Sequence, residues 1–515
     1  MAARLGRSLI PSQESVALAA ASVILVALIL PPLLVVVSDG FGAATSASAL
    51  LTPGLLTKLL HSISISLAVV SLTLVVGVPL GALTARSERR WLPAALFLHC
   101  LPLLTPPIVT ALAISQLLGF FGSKFLASLY NEAGYIVVMT WCFSPVVTLL
   151  TWLGAKNTDP AGDEAGRILG GAWRTLRSIV LPQVRPYIAL AALLVFAFTI
   201  TDTSTAAFLR VSSYSSAVFT RLAGFDFSPG EAAAIALPLV SIAMLLWLAE
   251  QRLPFHRVHV LSRARKEALV LFAGQLNVGT TLAAAAALLG IAPIATLLVM
   301  SWTELAQLAY AHVGTSLLNT LVYAAMTSTL AALLAVIIGS TMRARPGAIK
   351  WVEGIAWLGF FMPSTLMSIA AIRASNVTGF AWLFSSGAMV VVTLTSRYAI
   401  ISLRVQRTAE TQLGAAAVES ARLAGAGFVR CLTQIHIPAT ARYIAGAWLL
   451  VFACCAREVD SVALLYPPGG DTLAVKMLTL EPNGPVGITA AFALTLAFVT
   501  AIPAFAGALL MRARK

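Results

Sequence analysis

Two stretches of this sequence repeat one arrangement of charged, small and hinge-forming residues. The first runs Glu164-Ala165-Gly166-Arg167-Ile168-Leu169-Gly170, then Trp173-Arg174, Ile179-Val180-Leu181-Pro182 and Arg185-Pro186-Tyr187-Ile188. The second runs Glu419-Ser420-Ala421-Arg422-Leu423-Ala424-Gly425, then Ile435-His436-Ile437-Pro438 and Ala441-Arg442-Tyr443-Ile444. The two glutamates stand 255 residues apart, and the first copy is one residue shorter between its glycine and its proline. The chemistry such residues offer is docking rather than bond making. A glutamate early in a helix suits the positive end of the helix dipole. Small and apolar neighbours (Ala165, Ile168 and Leu169; Val418, Ala421 and Ala424) give a narrow face that a second protein can approach closely. Gly170 and Gly425 permit a sharp break between two short helices, and Pro182 and Pro438 stand where the next apolar stretch begins. Asp159-Pro160 and Thr408 read as the starts of the first short helices, from a capping side chain and, in the first copy, a proline at the first helical position.

A second set of chemically able residues lies in apolar surroundings. Asp202 and Glu458 occupy matched positions 256 residues apart, with Arg457 and Asp460 beside the latter. Ionisable groups at membrane depth are costly and are candidates for a solute path. The preferred reading is the plainer one, that they pair with arginine or cap a helix end near the external interface.

Other chemistries find no support. The five cysteines (Cys100, Cys142, Cys431, Cys454, Cys455) lack CxxC spacing and read as small core residues. The six histidines give no i, i+4 pair, so no metal site is expected. There is no phosphate-binding Gly-x-x-x-x-Gly-Lys-Ser/Thr loop, and the stretch from Gly119 to Lys124 lacks its spacing. No cofactor is expected on this chain, and no catalytic residue.

The elements that must position these residues are membrane helices. Of 515 residues 59% are hydrophobic and 10% charged, against about a quarter charged in soluble domains. Twelve apolar spans are expected, near 16–38, 63–85, 93–118, 134–154, 186–209, 231–250, 278–302, 317–341, 351–373, 380–402, 443–465 and 487–511. The fold class is therefore all-α integral membrane, as two parallel six-helix repeats: residues 1–251, a cytoplasmic linker 252–269, and residues 270–515. The net charge of +14 comes from Lys and Arg concentrated in alternate loops, which assigns those loops and both termini to the cytoplasm and argues against nucleic acid as a partner. The basic flank Arg4/Arg7 and the run Val16 to Val37 read as a retained first helix, too long for a cleaved signal.

The spacing Glu-x-x-x-x-x-Gly followed by Ile-x-Leu-Pro resembles the coupling motif of ABC importer permeases of the type I (binding-protein-dependent, MetI-like) fold. Leu101 to Ala113, Leu181 to Phe196 and Arg457 to Thr479 narrow the resemblance to fused two-half permeases of the ferric-iron and thiamine importer group. The resemblance implies that Glu164, Ala165, Arg167, Gly170, Pro182, Glu419, Ala421, Arg422, Gly425 and Pro438 dock two copies of an ABC ATPase, which carry ATP and Mg. It also implies a periplasmic substrate-binding protein, a bacterial inner membrane, and ferric iron ahead of thiamine or another small charged solute. The rival reading is a twelve-helix secondary transporter, which leaves the duplicated loop unexplained; an integral-membrane enzyme would need a cluster of acids or histidines that the sequence lacks.

Overall fold

The computed structural model describes residues 13–44, 53–87, 90–158, 160–223, 229–253, 278–302, 313–342, 346–379, 382–481 and 484–511. Arg4, Arg7, Asp159, the linker apart from 252 and 253, and Arg512 to Lys515 lie outside the described residues. A chain solvated by hydrocarbon must satisfy its backbone within each segment, so helices are the expected answer. Among the described residues there is no β-strand.

In the first repeat the helices are α1 (Gln13–Ala44), α2 (Pro53–Ala85), α3 (Leu92–His99), α4 (Leu101–Leu104), α5 (Pro107–Phe121), α6 (Ser123–Ala127), α7 (Glu132–Lys156), α8 (Pro160–Thr175), α9 (Leu181–Thr201), α10 (Ser204–Phe208), α11 (Tyr214–Ala223) and α12 (Pro229–Gln251). The second repeat gives α13 (Val278–Ser301), α14 (Val313–Ser340), α15 (Pro346–Phe361), α16 (Ser364–Thr378), α17 (Trp382–Ser385), α18 (Ala388–Leu413), α19 (Ala416–Leu423), α20 (Phe428–Cys431), α21 (Ile437–Ala456), α22 (Val462–Leu465), α23 (Leu473–Leu480) and α24 (Val486–Met511).

Ten of the described helices are long and apolar enough to cross a membrane, and an eleventh span is the bent pair α15 and α16, which meet at 109°. The expected span 93–118 is instead in pieces. Pro102, Pro106 and Pro107 remove backbone donors and Thr105 is extended (φ −106°, ψ 154°), so the helix stops and restarts, leaving α5 at 15 residues as its longest part. Pro363 breaks the matching span of the second repeat at the same place, and α16 also runs 15 residues. Single prolines elsewhere, such as Pro79, Pro145 and Pro503, are absorbed inside continuous helices.

The described chain forms two compact units that do not follow the repeat boundaries. One contains α2 to α13 together with Leu473–Phe498; the other contains α1 as far as Ser38, Gly314–Thr472, and the chain from Val499. Thus α1 as far as Ser38 groups with Gly314–Thr472, and α13 groups with α2 to α12. In the first unit Ala283, Ala286 and Ala287 of α13 are buried with Leu80, Leu92 and Ala95. Gly290 lets α13 press against α3: a Cβ there would stand 2.1 Å from the Leu98 carbonyl oxygen. The main core of this unit gathers Val69, Val138, Met139, Val147, Ala191 and Val195 from α2, α7 and α9. In the second unit α1 seats Ile29 beside Gly359 of α15, whose Cβ would lie 2.5 Å from the Ser396 carbonyl oxygen of α18. Trp357 stacks on Phe361 with ring centroids 5.1 Å apart.

Candidate functional site

Each copy of the repeated motif folds as an elbow of short helices that ends in a span. In the first copy α8 starts at Pro160, as expected, and turns at Gly171 (φ 74°, ψ 178°) rather than at Gly170. In the second copy the turn is at Gly425 (φ 84°), as expected. The missing residue of the first copy is lost here: one non-helical glycine joins its two short helices, whereas Ala424 to Gly427 separate α19 from α20. Thr408 is not a helix start. It lies inside α18, where its Oγ donates to the Arg404 carbonyl, and the break comes later at Gly414 (φ 77°).

Both elbows enter their spans through a π-helical turn, Leu176–Val180 before α9 and Leu432–His436 before α21. The amides of Leu181 and Ile437 donate five residues back, to the carbonyls of Leu176 and Leu432. Pro182 and Pro438 follow immediately, and the wider turn accommodates rings that would collide with the carbonyl of an α-helical turn. The two prolines therefore have matched local structure, not only matched spacing.

Glu164, Ala165, Arg167 and Gly170 are exposed, as are Glu419, Arg422, Gly425 and Pro438, while Ala421 and Pro182 are half-buried. Beside them stand apolar side chains that face outward: Ile168 is 84% exposed and Leu423 90%, with Leu169, Trp173 and Val429 also exposed. Exposed apolar groups flanking charged ones on a polar loop mark an interaction surface.

The inner faces of the two elbows are held by different chemistry. Behind the first, Arg86 and Asp163 are wholly buried and their side chains meet at 2.8 Å, with Arg86 also donating to Thr158. Burial lowers the Arg86 pKa from its ordinary value and the Asp163 carboxylate acts against that shift. Leu176, Val180 and Ala155 close an apolar cluster beside this pair. In the second copy, Nδ1 of His436 lies 2.9 Å from both carboxylate oxygens of Glu410. Gln406 donates to Glu410 and to Thr440 at 3.1 Å. On its outer side Arg422 pairs with Glu14 at the start of α1. These anchors were not singled out from sequence. Arg86 counted only toward loop charge, and a glutamate facing a histidine 26 residues away leaves no local signal.

The path candidates are Asp202 in the first unit, and Glu458 with Arg457 and Asp460 in the second. Asp202 ends α9 and caps α10: it accepts from Thr205 Oγ at 2.8 Å, the Ala206 amide at 2.9 Å and the Tyr135 hydroxyl at 3.3 Å. Its carboxylate is satisfied, as the helix-cap reading expects. Glu458 accepts from the Tyr398 hydroxyl at 2.5 Å and from Ser461 Oγ at 3.0 Å, with Arg457 and Asp460 half-buried beside it. Among the described residues no cluster of His, Cys, Asp or Glu could hold a metal ion.

Multiple apolar spans, two of them broken at proline, are those of an all-α polytopic membrane protein of the permease kind. Residues 77–249 match the family described as binding-protein-dependent transport system inner membrane component. The matched segment contains the first elbow. The chain is similar to the ferric transport system permease protein FbpB of Actinobacillus pleuropneumoniae, 21% identical over 452 residues that cover 81% of this chain and 66% of that relative. It is also similar to the putative ferric transport system permease protein FbpB 1 of Haemophilus influenzae, 28% identical over 142 residues, 25% of this chain and 22% of that one. The chain thus spans just under two thirds of the first relative's length.

Proposed function

We propose that this chain is the membrane-spanning subunit of an ATP-driven importer, which passes a small solute from a periplasmic binding protein across the bacterial inner membrane. The observation that carries the reading is the pair of elbows, each with exposed apolar side chains, a glycine at positive φ and a π-turn leading into a span. A load applied to such an elbow is delivered to α9 or α21, because the buried anchors make each elbow rigid.

In this reading Glu164, Ala165, Arg167, Gly170 and Pro182, with Glu419, Ala421, Arg422, Gly425 and Pro438, engage two copies of an ABC ATPase. ATP and Mg reside on that partner, and this chain neither hydrolyses ATP nor binds a cofactor. The elbows and both termini face the cytoplasm, from the distribution of Lys and Arg. Residues 1–251 and 270–515 are the two repeats. Ferric iron is the leading solute, since both relatives carry that description, ahead of thiamine or another small charged solute. Asp202, Arg457, Glu458 and Asp460 act by fixing helix ends near the path.

The test is co-purification of the tagged chain with its ATPase, comparing wild type with a Glu164→Arg/Glu419→Arg variant that inserts normally. Loss of the ATPase from the variant alone supports the assignment. Wild-type protein that binds no ATPase and moves solute down an ion gradient overturns it in favour of a secondary transporter.

A further inference from the structure

The broken third spans of the two repeats differ in the groups they offer at the break. In the first, Pro106 and Pro107 open α5, so neither of those positions has an amide proton to present, and α7 has no basic residue before Lys156. In the second, one proline precedes α16, leaving the amides of Ser364 and Thr365 as free ends of a 15-residue helix. Arg397 of α18 reaches this same turn: its Nη1 donates to the Met362 carbonyl, two residues before Ser364, at 3.1 Å.

Arg397 is 6% exposed, in the middle of an apolar helix, and its Nε has no hydrogen-bond partner. Thr365, 2% exposed and on the first turn of α16, has a hydroxyl oxygen that is likewise unpartnered. The Arg397 guanidinium lies over the Tyr398 ring at 5.8 Å. Glu458 and Asp460 act on Arg397 through space, but Glu458 accepts from Tyr398 and Ser461 instead. The Tyr398 oxygen is a further hydrogen-bond partner of Arg397 and the two carboxylates supply part of its counter-charge, so the unmet group is Nε, a buried donor that is costly without an acceptor.

We propose that the break between α15 and α16 is a buried binding site for an oxyanion, a carboxylate or phosphate group, held by the Arg397 guanidinium, the amides that open α16 and the Thr365 hydroxyl. Two forces act in one direction here. The α16 N-terminus carries partial positive charge toward the break, and the planar guanidinium matches an oxyanion in two-point geometry. Half-helices at mid-membrane with their N-termini toward anionic groups are a general solution in transporters. The ligand enters when α18 and the α15–α16 turn separate, so the observed affinity reflects the populated open fraction. The site stands on the second repeat alone and does not rest on ATPase docking.

The experiment is equilibrium dialysis of the purified full chain against radiolabelled inorganic phosphate, in phospholipid-free detergent and again in phosphatidylcholine nanodiscs. Wild type is expected to bind saturably in both, with Arg397→Gln at least about tenfold weaker, the equivalent of one charge-assisted contact of ~1.4 kcal/mol. Ser364→Pro copies the first repeat, which folds with two prolines at this place, and should weaken binding by a similar factor without loss of folded protein. Absence of saturable binding in wild type, or equal binding in both variants, overturns the site. Binding in detergent that phosphatidylcholine abolishes assigns the site to a lipid headgroup and overturns the binding of a free oxyanion.

Discussion

Arg86 and Asp163 are both fully buried, 2.8 Å apart, and join the end of the second span to the first short helix of the elbow that follows the fourth. The pair ties a loop-facing helix to the bundle at a point where neither residue meets water, so its removal is felt by the elbow as a whole.

Arg86→Leu or Asp163→Asn alone is therefore expected to destabilise the protein strongly, by ~3–5 kcal/mol, because each leaves a buried partner without its counter-charge. The double variant Arg86→Leu/Asp163→Leu should recover most of that loss. Thermal unfolding in detergent and retention of a co-expressed ATPase read the effect. Equal losses in the single and double variants would show that the pair does not act as a unit.

The two elbow glycines permit a test of backbone conformation without steric conflict. A Cβ at Gly171 or Gly425 meets nothing within 4 Å, yet both residues have positive φ. Gly425→Val should cost ~1–2 kcal/mol through backbone strain, and Gly425→Asn clearly less, since asparagine tolerates this region. Trypsin cleavage at the flanking Arg422 and Arg430 should rise in the order wild type, asparagine, valine. At Gly171, where φ 74° with ψ 178° is a region that essentially only glycine enters, asparagine and valine should both raise cleavage, and no change at either glycine would place the strain elsewhere.

Much of this architecture was legible in the residues, and the misses have a common cause. Long apolar runs and alternating basic loops gave the helices, and the paired motif located both elbows with Pro182 and Pro438 at their ends. The expected span 93–118 is broken because Pro106 and Pro107 together deny two successive donors, which the hydropathy of the stretch does not register. The turn at Gly171 was missed because two adjacent glycines are indistinguishable by spacing. The grouping of α1 with Gly314–Thr472 and of α13 with α2 to α12, and the pairing of His436 with Glu410, depend on which helix faces meet, and a periodic apolar sequence does not encode its neighbour. Arg397 stood in plain view within a span, and the rule that such a residue calls for a partner would have found it.

The packing of α13 on α3 depends on Gly290. With the Leu98 carbonyl carbon as well as its oxygen inside 3 Å of a prospective Cβ, Gly290→Ala must push two backbones apart. Such overpacking costs ~1–3 kcal/mol, and Gly290→Leu more. Gly314→Ala, in the first turn of α14 with open space around it, should instead be neutral or stabilise by up to ~1 kcal/mol. In one detergent the melting temperature should fall for Gly290→Ala and hold or rise for Gly314→Ala. A shared direction would mean that α13 does not seat through this glycine.

The polar pair behind the second elbow can be exchanged for the apolar residues that stand at its positions in the first copy. By register Glu410 and His436 correspond to Ala155 and Val180, which are buried together in an apolar cluster. His436→Val alone removes one partner from a buried carboxylate that Gln406 still serves, and is expected to cost ~1.5–3 kcal/mol. Glu410→Ala alone leaves the imidazole and the Gln406 amide short of an acceptor, with a similar loss. The double variant Glu410→Ala/His436→Val puts the first copy's residues at these two positions and should lose less than the sum of the singles, with a coupling energy of ~1 kcal/mol or more in a double-mutant cycle. Solute uptake by vesicles containing the complete transporter supplies the functional arm. If the double variant melts near wild type yet couples ATP hydrolysis to uptake poorly, the polar anchor sets the angle of the elbow. If stability and uptake fall together, its role is confined to holding α21 against α18.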